Sequence, residues 1–144
     1  MAELTTEERL ALAVRAHVAA VRADRAKGRA ALLEKRIQPV REAVERFVGT
    51  RGRLPDLNDE RERAAFMELL ASTGGREVSR DDLSAAATLG REAARLRARA
   101  AAALRAVSDA MPDRGRTVRE WVGVDAETFD RAVEQALGEG RVDK

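Results

Sequence analysis

The residues of this sequence best equipped for chemistry are its arginines. Arg15, Arg22, Arg29 and Arg36 recur every seven positions, and Arg25 joins their stripe. On a helix that row runs about 30 Å, comparable with one turn of duplex DNA. Arg91, Arg95 and Arg99 repeat at steps of four, inside a stretch from 91 to 105 that holds five arginines and one glutamate. A guanidinium presents a rigid fork of donors that matches phosphate and carboxylate alike. Two uses follow. These eight side chains contact the phosphates of DNA or RNA, or they form ion pairs with acids on a neighbouring helix or a second subunit. The bias toward arginine is strong, 24 Arg against 3 Lys, although a GC-rich gene enriches arginine and alanine together.

Little else in the chain could react. His17 is the only histidine, and it falls on or beside an apolar helical stripe. A carboxylate-bridged metal site in a helical bundle needs paired Glu-x-x-His elements, and the sequence has none. The absence of cysteine rules out disulfides, thiolate zinc sites and a Cys nucleophile. Gly74-Gly75 lacks the Lys-Ser or Lys-Thr that completes a phosphate loop. Asp59-Glu60 and Asp81-Asp82 stand at expected helix N-termini, where the helix dipole accounts for acids. The expectation is a protein without catalytic, cofactor-binding or metal-binding residues, and so not an enzyme. The RGRLP segment at 51–55 is similar to an Arg-Gly-Arg minor-groove element, but Leu54 displaces the proline that usually follows the second arginine. An exposed loop is the plainer reading.

The elements that must carry these arginines are helices. Hydrophobic residues make up 44% of 144, but twenty-nine of them are alanine and aromatics reach only 3%. Such a core is aliphatic and thin, and it suits helices meeting along alanine seams better than a sheet, which favours β-branched and aromatic residues. Leu10, Val14, Val18 and Val21 share one helix face, and the spacing returns at Leu33, Ile37, Val40, Val44 and Phe47. Thr5 with Glu8 makes a capping box that starts this run. Pro39 predicts a break, giving helices over 5–37 and 39–48 with Gly49 closing the second. The stretch from Arg22 to Ala31 lacks a large apolar side chain, so it is either an exposed middle or a close crossing. Residues 50–58 read as a loop, with Asn58 or Asp56 capping a helix over 58–72. Ser79 and Asp82 open a helix over 79–110, with a seam of Leu89, Ala93, Leu96, Ala100, Leu104, Val107 and Met111. Pro112 and Gly115 stop it.

Near the C-terminus, Thr117 and Glu120 cap a short helix, and Asp125 caps another that runs through Leu137 and ends at Gly138 and Gly140. Gly123 falls between them, and Val118, Val122, Val124 and Phe129 occupy the positions that hold two crossed helices together. Residues 116–142 resemble a helix-turn-helix, or the core of a winged helix, with GEGRV as the turn into a first wing strand. That resemblance implies a helix presented to DNA. From Arg116 to Lys144, however, there are seven acids and five bases, a local charge of −2. Phosphate affinity comes from Lys and Arg displacing counterions, so a protein contact, or a plain helical pair, suits this segment better than base reading.

The sequence thus predicts an all-α protein: a helical hairpin or bundle over 1–112 and a small helix-turn-helix-like module over 113–144. No stretch has the roughly twenty apolar residues of a membrane span, and no signal peptide precedes the first helix, so the cytoplasm is expected and no membrane partner. Net charge is +2 and the isoelectric point about 9.6. The expected function is a nucleic-acid-associated accessory or regulatory protein using Arg-rich helices. The alternative is a structural or assembly protein, of a phage or multisubunit complex, whose arginines pair between protein partners or copies of a homo-oligomer.

Overall fold

The computed structural model describes residues 3–111 and 116–142. Five α-helices account for most of them: α1 over Thr6–Arg51, α2 over Glu60–Thr73, α3 over Arg80–Ala110, α4 over Val118–Val122 and α5 over Ala126–Val142. A 3₁₀ turn at Gly75–Glu77 joins α2 to α3, and no strand occurs among the described residues. The chain is all-α. Two compact units divide it, a terminal one of Met1–Ala26 with Glu92–Lys144 and a middle one of Lys27–Arg91. The expected boundary at 113 and the stop at Pro112 and Gly115 lie outside the described residues.

Pro39 does not break the first helix. A single helix of 46 residues runs through it, where the sequence predicts two. Proline in a helix interior costs about 3 kcal/mol, but Ala26, Ala30, Leu33, Ile37, Val40, Val44 and Phe47 keep alternating steps of four and three across it. Burying that unbroken seam outweighs one missing hydrogen bond. Within the stretch without large side chains Ala26 is fully buried, while most of its neighbours, Gly28 among them, are exposed. Gly49 is also helical; the stop comes at Gly52, whose φ is +73° and whose N–H donates to the Val48 carbonyl at 2.7 Å.

In the terminal unit, the start of α1 and the end of α3 run antiparallel, with α4 and α5 packed on them. Ala13, Val14, Val18, Val107, Trp121, Val122, Phe129 and Val133 form its core. Each helix start has its cap. The Thr5 hydroxyl accepts from Glu8 N–H while the Glu8 carboxylate accepts from Thr5 N–H. The Thr117 hydroxyl accepts from Glu120 N–H, and the Asp125 carboxylate from Thr128 N–H at 2.7 Å. The Thr128 hydroxyl, then the Thr128 N–H, hold the Asp125 carboxyl below its ordinary range by hydrogen bonding. Gly123 closes α4 with φ +81°, a left-handed turn that a side chain would strain. Trp121 is buried at 5% exposure. The Arg9 guanidinium stacks 5.8 Å from its ring and donates to its carbonyl, which ties the first turn of α1 to α4.

The last helix differs from expectation. It continues through Gly138 to Val142, so GEGRV is helical and does not turn into a wing strand. A helical glycine costs only about 1 kcal/mol relative to alanine, and no proline follows to force a stop.

In the middle unit, Ala43, Phe47 and Phe66 make a small core with Val44, Ala65, Leu69 and Leu70 against it. The rings of Phe47 and Phe66 meet edge to face at 6.3 Å. Asp59, not Asn58 or Asp56, caps α2, accepting from the N–H groups of Arg61 and Glu62. Asp56 instead accepts from Asn58 N–H within the loop. Thr73 donates its hydroxyl to the Pro39 carbonyl at 2.8 Å. Gly75 is buried beside it, where an added Cβ would lie 3.4 Å from the Pro39 backbone of α1. The hydrogen bond and this close approach hold the end of α2 on the middle of α1.

Candidate functional site

The arginine rows have separate fates. Arg36 pairs with Asp82 of α3 at 3.7 Å, an ion pair with an acid on a neighbouring helix. Arg22 donates to the Ala136 carbonyl of α5 at 3.4 Å. Arg15, Arg25, Arg29, Arg91, Arg95 and Arg99 are exposed, and none has a carboxylate within ion-pair distance or a hydrogen-bond acceptor among the described residues. Arg29, Arg36 and Arg91 belong to the middle unit. Arg15, Arg22, Arg25, Arg95 and Arg99 belong to the terminal one.

Within the terminal unit the structure brings members of the two rows together. Arg15 and Arg22 of α1 and Arg99 of α3 line one groove of about 470 Å³. Its remaining lining is Val18, Ala19, Ala102, Ala103, Ala106 and Ala136, and no acid is among these residues. The alanines bring the helices close and leave the long arginine stems as the walls. All three are exposed, and apart from the bond from Arg22 to the Ala136 carbonyl they have no partner among the described residues, so guanidinium N–H groups remain available to an anion. The sequence shows both rows and the alanine run at 100–103, but not which arginines face each other. That depends on the register between α1 and α3.

The other expected features resolve in the structure as follows. Arg51 ends α1 and lies over the Phe47 ring at 5.0 Å. Arg53 pairs with Glu62, whose carboxylate also accepts from Asp56 N–H at 3.1 Å. The Arg53 hydrogen bond, then the Asp56 N–H, hold the Glu62 carboxyl below its ordinary range although it is buried. Both arginines of the RGRLP segment therefore have partners inside the middle unit. His17 is exposed, with its ring edge-on to Phe129 at 5.9 Å. No group of three or more potential metal ligands occurs among the described residues. In the C-terminal pair, Asp130 is paired with Arg119 and Glu127 with Arg131.

Leu104 departs from its predicted seam. It stands 59% exposed, and the buried edge of α3 instead follows Ala100, Ala103 and Val107. Leu104 lines a second groove of the terminal unit, with Ala13, His17, Asp24, Arg97, Val118 and Phe129 among its neighbours. No described helix is long and apolar enough to cross a membrane. Comparison with protein-family models, with curated proteins and with solved structures finds no match.

Proposed function

We propose that this chain is a non-enzymatic, nucleic-acid-associated accessory or regulatory protein that holds the phosphate backbone with arginines of α1 and α3. One observation carries the reading: Arg15, Arg22 and Arg99 line a single groove whose lining contains no acid. A concave site of one sign raises the local concentration of an oppositely charged ligand. The guanidinium fork binds phosphate and carboxylate alike, but the phosphates of a nucleic acid suit this groove better than isolated carboxylates because a row of them can meet several arginines at once. Arg95 and Arg25 of the same unit extend the supply of unpaired guanidinium. The binding is to the backbone and carries no sequence information by itself. In this reading α4 and α5 contribute shape or a partner contact, since Asp130 and Glu127 already pair with Arg119 and Arg131 and leave those arginines little net attraction for phosphates.

Replacing Arg15, Arg22 and Arg99 together by alanine tests the proposal. Affinity for duplexes of unrelated sequence should fall uniformly, and each lost phosphate contact should reduce the salt slope by about 0.9. Thermal stability should hardly change, because exposed arginines contribute little to folding. In the alternative reading, an assembly protein whose arginines pair between subunits, the same variant dissociates an oligomer and DNA retention is already weak in the parent. Equal DNA affinity in parent and variant contradicts the proposal.

A further inference from the structure

The second groove of the terminal unit has a different chemistry from the first, and the two share no lining residue. By helical position they fall on opposite sides of the α1–α3 seam. The second groove encloses about 530 Å³. Its walls are Leu104, Val118 and Phe129, over a floor that alanines of α1 and α3 keep open. Leu104 projects from the rim at 59% exposure. A leucine that exposed loses most of the roughly 2 kcal/mol that burial supplies, and an apolar concavity beside it is likewise left wet.

The charges on this groove decide what fits it. Asp24 of α1 and Arg97 of α3 both line it. Both are exposed, and neither has an ion-pair partner among the described residues. Arg119, also on the rim, is already paired with Asp130. The free charges are therefore one of each sign. A polyanion gains nothing from such a surface, since Asp24 opposes it as much as Arg97 attracts it. A two-fold interface, by contrast, requires one patch that carries both halves of every complementary pair. This patch does: it has an apolar projection with an apolar hollow, and an unpaired anion with an unpaired cation.

We propose that this groove is the contact between two copies of the chain. Leu104 of each copy enters the alanine-floored hollow of the other, and Asp24 of each copy faces the partner's Arg97. The dimer leaves the groove of Arg15, Arg22 and Arg99 uncovered, so the proposal does not depend on nucleic-acid binding.

Sedimentation equilibrium of the full chain across a range of concentrations tests it. The parent should show a reversible monomer–dimer equilibrium. Leu104→Asp should raise the dimer dissociation constant at least a hundredfold while leaving circular dichroism and the melting profile of the dilute monomer unchanged. Asp24→Arg and Arg97→Asp should each raise it about tenfold, the doubly exchanged variant should return to near the parent value, and none of them should alter the helical signal. A parent that is monomeric at every concentration overturns the proposal. So does a dimer indifferent to Leu104→Asp, a charge exchange that fails to restore association, or a monomer that accepts only an unrelated amphipathic helix on this groove. Loss of DNA binding in the Arg15, Arg22 and Arg99 variant has no bearing on any of these outcomes.

Discussion

Glu62 shows how one side chain can settle a loop. Its carboxylate is buried, yet it stays ionised because Arg53 and the Asp56 N–H both donate to it. The folded-state value lies below the ordinary one, so the associated stability is fully present above the ordinary carboxylate range. It is lost as pH falls through the lowered value. Following the Asp56 amide by NMR during an acid titration should therefore reveal a transition below the ordinary glutamate range. In Glu62→Gln that transition should vanish, and the amide should sit throughout where acid places it in the parent. A transition at the ordinary glutamate value would mean that neither donor holds the carboxylate. The burial of Glu62 could not be read from sequence. Arg53 and Glu62 are nine residues apart across a loop, and no helical or strand period relates them.

Helices were legible where local chemistry acts alone. The caps at Thr5, Ser79, Thr117 and Asp125 each accept the predicted backbone N–H. The starts of α1 and α3 to α5 lie within a residue of the expected positions. What local signals misjudged is the strength of packing. Pro39, Gly49 and Gly138 carry penalties of about 1 to 3 kcal/mol, which helices with a continuing apolar seam absorb. Pro39→Ala should accordingly stabilise the protein by about 1–3 kcal/mol. The Pro39 carbonyl that receives the Thr73 hydroxyl is retained, while the missing helical N–H is restored. Thermal or denaturant unfolding measures this directly, and a destabilised Pro39→Ala chain would show that the proline ring is itself a packing element. Leu104 illustrates the reverse error. A seven-residue seam can pass through either of two adjacent positions, and here the smaller Ala103 faces inward.

At the scale of the whole molecule, the sequence displayed the arginines and the structure sorted them. Arg36 is consumed by Asp82, Arg53 by Glu62 and Arg119 by Asp130. Arg15, Arg22 and Arg99 converge instead on one groove without an acid. Net charge alone, at +2, gave no hint of this, because it sums over the chain and does not say which charges share a groove. The central claim is that these arginines meet phosphates, and counterion release tests it most directly. Fluorescence anisotropy with two duplexes of unrelated sequence, repeated over a series of salt concentrations, gives log Kobs against log[salt]. For three phosphate contacts the slope should be about −2.7, equal for the two duplexes, and steeper if Arg25 or Arg95 also engages. A slope near zero, or no binding at low salt, would contradict the account.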